Sequence, residues 1–329
     1  MSSLSTLRVW LLLSAFLSLS TACQPTVVVS PTAVPLPTKT ATPAIPTTAP
    51  TAVVLPSRTP PPSATPQPTN TPTPTPIPSP TTAVVTSRAI GFSHDNHPII
   101  SYQIGTGETH VMFVGGMHGG YEWNTILLAY EALDYFLAQP DLVPANVTLH
   151  IIPSANPDGQ KYATGSTGRF DPADVIFNTV PGRFNGRGVD LNRNWDCDWQ
   201  PTAQWRDELV SGGDAAFSEP ESRALRDYIL AHDPTAVVFW HSAANAIFSA
   251  YCPDQHLPSD QLAELYSAAS GYPVRYTFSA YPITGDASNW LAAQGIASMT
   301  VELTTHSTIE WERNRLGITA VLNAASRNN

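Results

Sequence analysis

Basic charge is scarce in this sequence. Lysine and arginine number 16 against 26 aspartates and glutamates, a formal net charge of −10, and all the acids lie beyond residue 88. A surface of that sign repels a phosphate backbone, which excludes nucleic acid as a partner. Cysteine is scarce too: besides Cys23, only Cys197 and Cys252 occur. Outside the cytosol those last two are a candidate disulfide pair, closing a loop of about 55 residues worth roughly 4 kcal/mol in the chain-entropy model. A long apolar run is missing as well. The N-terminal "VWLLLSAFLSL" falls short of the roughly 20 residues that span a bilayer. No internal repeat is visible.

What the N-terminus does have is the pattern of an export signal: one early charge at Arg8, the short apolar run, then the small residues "STA" before Cys23. Residues 1–22 therefore read as a signal peptide of lipoprotein type, with Cys23 as the lipidated new N-terminus. Leu19 stands four positions before the cysteine, where such signals usually have leucine three before, so plain secretion is the alternative. Residues 23–87 form a linker of proline, threonine, alanine and serine that holds more than half of the chain's 32 prolines. With no large side chains to bury, it is expected to be a disordered stalk, up to roughly 200 Å long at about 3.1 Å per residue. The expected location is extracytoplasmic, on a membrane through the lipid anchor.

Residues 88–329 are long enough for one domain with a substantial core, and a monomer is expected. Short β-branched runs ("THVMFVGG", "NVTLHIIPSAN", "TAVVFWHS", "ASMTVELT") read as strands buried on both faces. Between them, "EWNTILLAYEALDYFLAQP", "SEPESRALRDYILAHDP", "SDQLAELYSAASGYP" and "TIEWERNRLGITAVLNAAS" read as helices, the second opening on a serine cap. The alternation predicts an α/β fold with a mixed, mainly parallel sheet and helices on both faces. His118, Asn156 with Asp158, His241 and Glu302 each follow or close a strand. Ligands of open α/β sheets bind at the carboxyl ends of strands, so these polar groups mark one edge as a site.

Two histidines and a carboxylate are a common catalytic zinc set, and His118, Glu122 and His241 could supply it. On spacing alone this is weak, since Glu122 in a first helical turn also suits the helix dipole. The remaining histidines, His110, His150, His232 and His306 among them, read as structural or solvated. The motifs "GGMHGGYEWN", "NPDG", "GVDLNRNW", "WHS" and "TVEL" follow one another in a single order. Together they resemble the zinc carboxypeptidase family, over residues from about 109 to 303.

The resemblance implies one zinc ion held by His118, Glu122 and His241, with Asp190 orienting the first histidine. It implies that Asn192 and Arg193 grip the substrate's terminal carboxylate, and that Arg183 stabilises the developing oxyanion. Arg187, in the same glycine-rich loop, is the alternative for that last role. Tyr281 matches the family's mobile tyrosine, Ser288 the specificity position and Glu302 the general base. The family's first metal motif has two residues between histidine and glutamate, whereas "HGGYE" has three, and its glycines make the insertion sterically plausible. The expected substrate is a peptide with a free C-terminal carboxylate, by analogy a peptidoglycan peptide. The alternatives are a related zinc deacylase or amidohydrolase acting on small acylated amino acids, and an inactive surface-displayed binding domain.

Overall fold

The computed structural model describes residues 85–327; the signal peptide, Cys23 and nearly all of the stalk lie outside the described residues. In chain order the strands and helices are β1 (Val85–Phe92), β2 (Pro98–Ile104), β3 (Thr109–Val114), α1 (Trp123–Ala138), β4 (Val147–Ile152), α2 (Pro157–Thr164), β5 (Thr202–Trp205), β6 (Glu208–Ser211), α3 (Pro220–His232), β7 (Ala236–Ser242), β8 (Ala246–Ser249), α4 (Leu257–Ser270), β9 (Val274–Arg275), α5 (Ala287–Ala293), β10 (Ser298–Leu303) and α6 (Trp311–Ala325). β1 starts inside the segment expected to be linker, because residues 85–87 pair with β2. Among the described residues no helix is long and apolar enough to cross a membrane.

The main sheet has eight strands in the order β1-β2-β4-β3-β7-β10-β8-β9. Its centre is parallel, β4 with β3, β3 with β7 and β7 with β10, while β1, β2 and the β10–β8 contact are antiparallel. The mixed, mainly parallel expectation therefore holds. Side chains alternate across each strand. Val111 and Phe113 of β3 join Val238 and Trp240 of β7 in a core packed by α1, α4 and α6. Met112, Val114, Val237 and Phe239 face the other way, into a core packed by α3 and α5. Two buried faces are why these strands read as continuous apolar runs.

α1 buries Ile126, Ala129, Leu133 and Phe136 at helical spacing and ends just before Pro140. α3 differs from expectation at its start: the capping position is Glu219 rather than Ser218, and no side chain caps it. Ser218 Oγ instead donates to the Glu219 carboxylate, 2.7 Å away. Asn156 and Asp158 also depart from their expected place in the site. Asn156 caps α2 by accepting the Gly159 N–H at 2.9 Å. Asp158 is spent on Ser93, His97 and the N–H groups of Asp95 and Gly186.

Three of the remaining histidines cluster at the opposite end of the parallel strands. His150 lies between His110 Nδ1 and the Tyr228 hydroxyl, 2.8 Å from each, and its ring centroid is 4.9 Å from that of His232. Burial first, and then the charges of His110, His232 and Arg88, push the His150 imidazole down to about 3 from 6.5. The folded chain keeps this ring neutral where the unfolded chain would protonate it. Its contribution is complete above 6.5 and is lost as pH falls toward 3. Urea melts from pH 7.5 down to about 5 should show stability falling by up to roughly 1.4 kcal/mol per pH unit for this one proton. His150→Gln should flatten that slope; an unchanged slope would remove His150 as its source.

Candidate active site

The first metal-ligand candidate sits in a turn that requires glycine. His118 opens a tight 3-10 turn over Gly119–Glu122, closed by the Tyr121 N–H donating to the His118 carbonyl at 3.1 Å. Gly119 has φ +45, and a Cβ there would stand 2.6 Å from the Gly182 carbonyl oxygen; one on Gly120 would overlap the Ala163 side chain. The extra residue between His118 and Glu122 is thus taken up by a left-handed step pressed against α2. The pair stays in reach, with His118 Nδ1 2.7 Å from Glu122 Oε1.

His241 comes from the carboxyl end of β7. Its Nδ1 lies 3.0 Å from Glu122 Oε2 and 3.1 Å from His118 Nδ1. One donor atom from each of the three side chains lies within 4.8 Å of the others, and all three residues are buried. Two imidazole nitrogens turned toward each other and toward one carboxylate form a cradle whose donor set suits tetrahedral zinc with a position left for water. Burial alone would push the Glu122 carboxyl up. The charges of His118 and His241 outweigh it and hold the carboxyl well below its ordinary range.

Asp190 stands behind His118, its Oδ1 3.4 Å from His118 Nε2. Its Oδ2 accepts from Arg183 Nε at 3.0 Å and from the same guanidinium's second nitrogen at 2.8 Å. Burial raises this carboxyl too, but Arg183 and His118 bring it far below its usual value. Arg183 is buried, stacks 4.4 Å from the Trp205 ring and turns its remaining nitrogen toward Glu122 Oε1 at 4.0 Å. Arg187 points elsewhere, to Asp214 and Glu219. Of the two arginines, Arg183 is the one that lines the cavity.

Parallel pairing places Glu302 opposite His241 in register. Burial, and after it the negative charge of Glu122, push the Glu302 carboxyl up to about 7; His241 and the Ala244 N–H work against the rise. Asn192, Arg193, Tyr281 and Ser288 line the same cavity, of about 340 Å³. Asn192 Nδ2 donates to Asp286 Oδ2 at 2.8 Å. The Arg193 guanidinium donates to the carbonyls of Gln204 and Asn192. Ser288 Oγ donates to Asp286 Oδ1 at 2.6 Å. Cys197 and Cys252 form a disulfide with Cα atoms 6.3 Å apart, tying the segment after Arg193 to the end of β8.

Sequence reasoning missed the wall contributed by Tyr121, Trp205, Arg206, Phe248 and Phe278. The one signal for part of it was the alternating "TAQWRDELV", a hairpin with no glycine in its turn.

A family model described as zinc carboxypeptidase matches residues 81–324. Carboxypeptidase B of Astacus astacus is 25% identical over 230 residues, covering 63% of this chain and 74% of that protein. Gamma-D-glutamyl-L-diamino acid endopeptidase 1 of Lysinibacillus sphaericus is 25% identical over 210 residues, 56% of this chain and 52% of that one. Among solved structures, murein-tripeptide amidase from Escherichia coli O157 superposes with a TM-score of 0.52 at 23% identity, over 74% of this chain and 92% of that one. The chain belongs to the zinc carboxypeptidase family. It is a hydrolase of the metallocarboxypeptidase class, and zinc is its cofactor.

Isothermal titration of the metal-stripped protein with zinc should show Asp190→Asn weakening affinity by about 10–100-fold. Glu122→Gln, which removes a ligand outright, should weaken it further. Wild-type affinity in both variants would take the metal away from this cradle.

Proposed function

We propose that the domain hydrolyses the amide bond joining a C-terminal residue to its peptide, with Glu302 as general base. The observation that carries this is a half-buried carboxylate, Glu302, held in register beside His241 at a donor cradle suited to zinc; burial and the Glu122 charge raise its proton affinity to about 7. Such a group can take a proton near neutral pH and give it back. Zinc bound by His118, Glu122 and His241 would polarise the scissile carbonyl and acidify the attacking water. Glu302 removes the water's proton and delivers it to the leaving nitrogen. Arg183 is fixed by two hydrogen bonds to Asp190, so its free nitrogen stays aimed at the cradle, where charge develops on the carbonyl oxygen.

The floor of the cavity addresses the leaving residue. Arg193, with Asn192 beside it, offers the remaining N–H groups of its guanidinium to a terminal carboxylate. Tyr281, half-buried and lining the cavity, is placed to close over the bound residue. Ser288 is too small to fill the floor and instead holds Asp286 in place. No cation pairs with Asp286 among the described residues, so this buried carboxylate complements a side-chain amine on the leaving residue. That chemistry, and relatives named for glutamyl-diamino acid and murein peptide substrates, support peptidoglycan peptides as the substrate. A lipid anchor at Cys23 and a Pro/Thr-rich stalk would hold a monomeric domain outside the cytoplasm, within reach of the wall. The open, aromatic-lined mouth favours peptides over the small acylated amino acids of a deacylase.

Glu302→Gln should lower kcat by about 10²–10⁴-fold while zinc content stays at the wild-type level. Mass spectrometry of peptidoglycan fragments incubated with the wild-type enzyme should show loss of one C-terminal residue, abolished by a chelator. An active Glu302→Gln enzyme would rule out this base, and intact fragments with zinc bound would rule out the substrate.

A further inference from the structure

Arg206 occupies an unusual position. It is the first of the two turn residues, Arg206 and Asp207, that join β5 to β6, and its φ is +55. Two-residue hairpins take glycine, asparagine or aspartate at positive φ because other side chains are strained there. A non-glycine residue kept in such a conformation points to a use for its side chain. Arg206 lines the mouth of the catalytic cavity, with its guanidinium carbon 5.3 Å from the Trp205 ring centre.

The other two arginines of the cavity already have places in the hydrolytic reading, at the cradle and at the leaving residue's carboxylate. Arg183 is neutralised by Asp190, and Arg193 donates to backbone carbonyls. Arg206 pairs with no carboxylate among the described residues. It is exposed at the rim, and its charge is felt by Tyr121 and His306. Asp286, Ser288 and Asn289 are buried at the floor. Cradle, floor and Arg206 line one cavity, so with a leaving residue on the floor and the scissile carbonyl at the cradle, the acyl side would leave by the mouth that Arg206 lines.

Resting on the hydrolytic reading above, we infer that Arg206 is a specificity residue that binds a carboxylate on the acyl side of the scissile bond. A glutamyl residue meets this demand. Linked through its γ-carbonyl, it keeps a free α-carboxylate close to the scissile amide; linked through its α-carbonyl, it offers the side-chain carboxylate. The cavity would then read its substrate by two charges, Arg206 on the acyl side and Asp286 on the leaving side. Arginine suits the first task because its planar fork matches a carboxylate bidentately while its face stays stacked on Trp205.

The test uses full-length enzyme and peptide pairs that differ only in glutamate or glutamine on the acyl side of the cleaved bond. The wild type should prefer glutamate by about tenfold in kcat/KM, mostly through KM, and added salt should erode the preference. Arg206→Ala should bring the ratio close to one, and Arg206→Glu should reverse it in favour of glutamine. Arg206→Gly should lose the preference while its Tm stays at or above wild type, because glycine relieves the positive φ; a purely structural arginine would not separate those readouts. A wild-type ratio near one, or a preference that survives in Arg206→Ala, overturns the inference. If the wild type cleaves neither peptide, the hydrolytic reading fails, and calorimetric binding of the same peptides to zinc-loaded Glu302→Gln decides separately. Glutamate-selective binding lost on adding Arg206→Ala supports the role of Arg206, and unselective binding overturns it.

Discussion

The burial of Glu122 between two histidines is the interaction on which the rest of the site depends. A carboxylate taken out of water is costly unless it is paired and hydrogen-bonded. Glu122 meets that cost through His118 and His241, and His118 is braced in turn by Asp190, which is itself locked by Arg183. Glu302 and Asp286 add two more buried or nearly buried carboxylates to the same cavity, against the arginines Arg183 and Arg193. With Asp190 these carboxylates outnumber the two arginines, an excess that a divalent cation held by Glu122, His118 and His241 would offset. Burial first, and then the charge of Glu122, raise the Glu302 carboxyl, so the cradle contributes to the proton affinity of its neighbour.

Geometry for this comes from the sheet. Parallel pairing of β7 with β10 fixes Glu302 opposite His241, and strand alternation turns both to the face on which α5 packs. A slip of one residue in β10 would send Glu302 into the opposite core, among Val238, Trp240 and their neighbours. The apolar residues that bury β7 and β10 on both faces are therefore what hold Glu302 and His241 in register. The turn that carries His118 and Glu122 is equally constrained, since Gly119 and Gly120 leave no room for a side chain against Gly182 and Ala163.

Much of this was legible in the sequence because it is local or periodic. The central strands show as apolar runs, and His118, Asp190, His241 and Glu302 sit in short motifs at strand ends or in glycine-rich turns. What was not legible depends on contacts distant in the chain. Asn156 and Asp158 follow a strand as site residues should, yet Asp158 is claimed by Ser93 and His97, some 60 residues earlier. Arg183 and Arg187 share one loop, and only the positions of Asp190, Asp214 and Glu219 separate them. The β5–β6 hairpin gave little signal, since its strands are four residues each and its turn lacks glycine. The edge strands β1 and β2 were missed for a related reason: β1 is largely exposed, so its residues follow no apolar run.

The missed residues have something in common beyond their weak signal. Those found by pattern lie on the sheet or in turns packed against it, where burial restricts each position to few side chains. Those found only in three dimensions, Trp205, Arg206, Phe248 and Phe278 among them, form the wall and rim around the cradle. A rim that is partly exposed can change its side chains without unfolding the core beneath it, whereas Glu122 or Asp190 cannot change without stranding a buried charge. The hairpin is nevertheless not an independent appendage, because the Gln204 carbonyl holds Arg193 and the Trp205 ring covers Arg183. Its outer residue, Arg206, lines the cavity mouth while its inner residues brace two arginines of the interior. The exposed rim is thereby joined mechanically to the buried arginines beside the cradle.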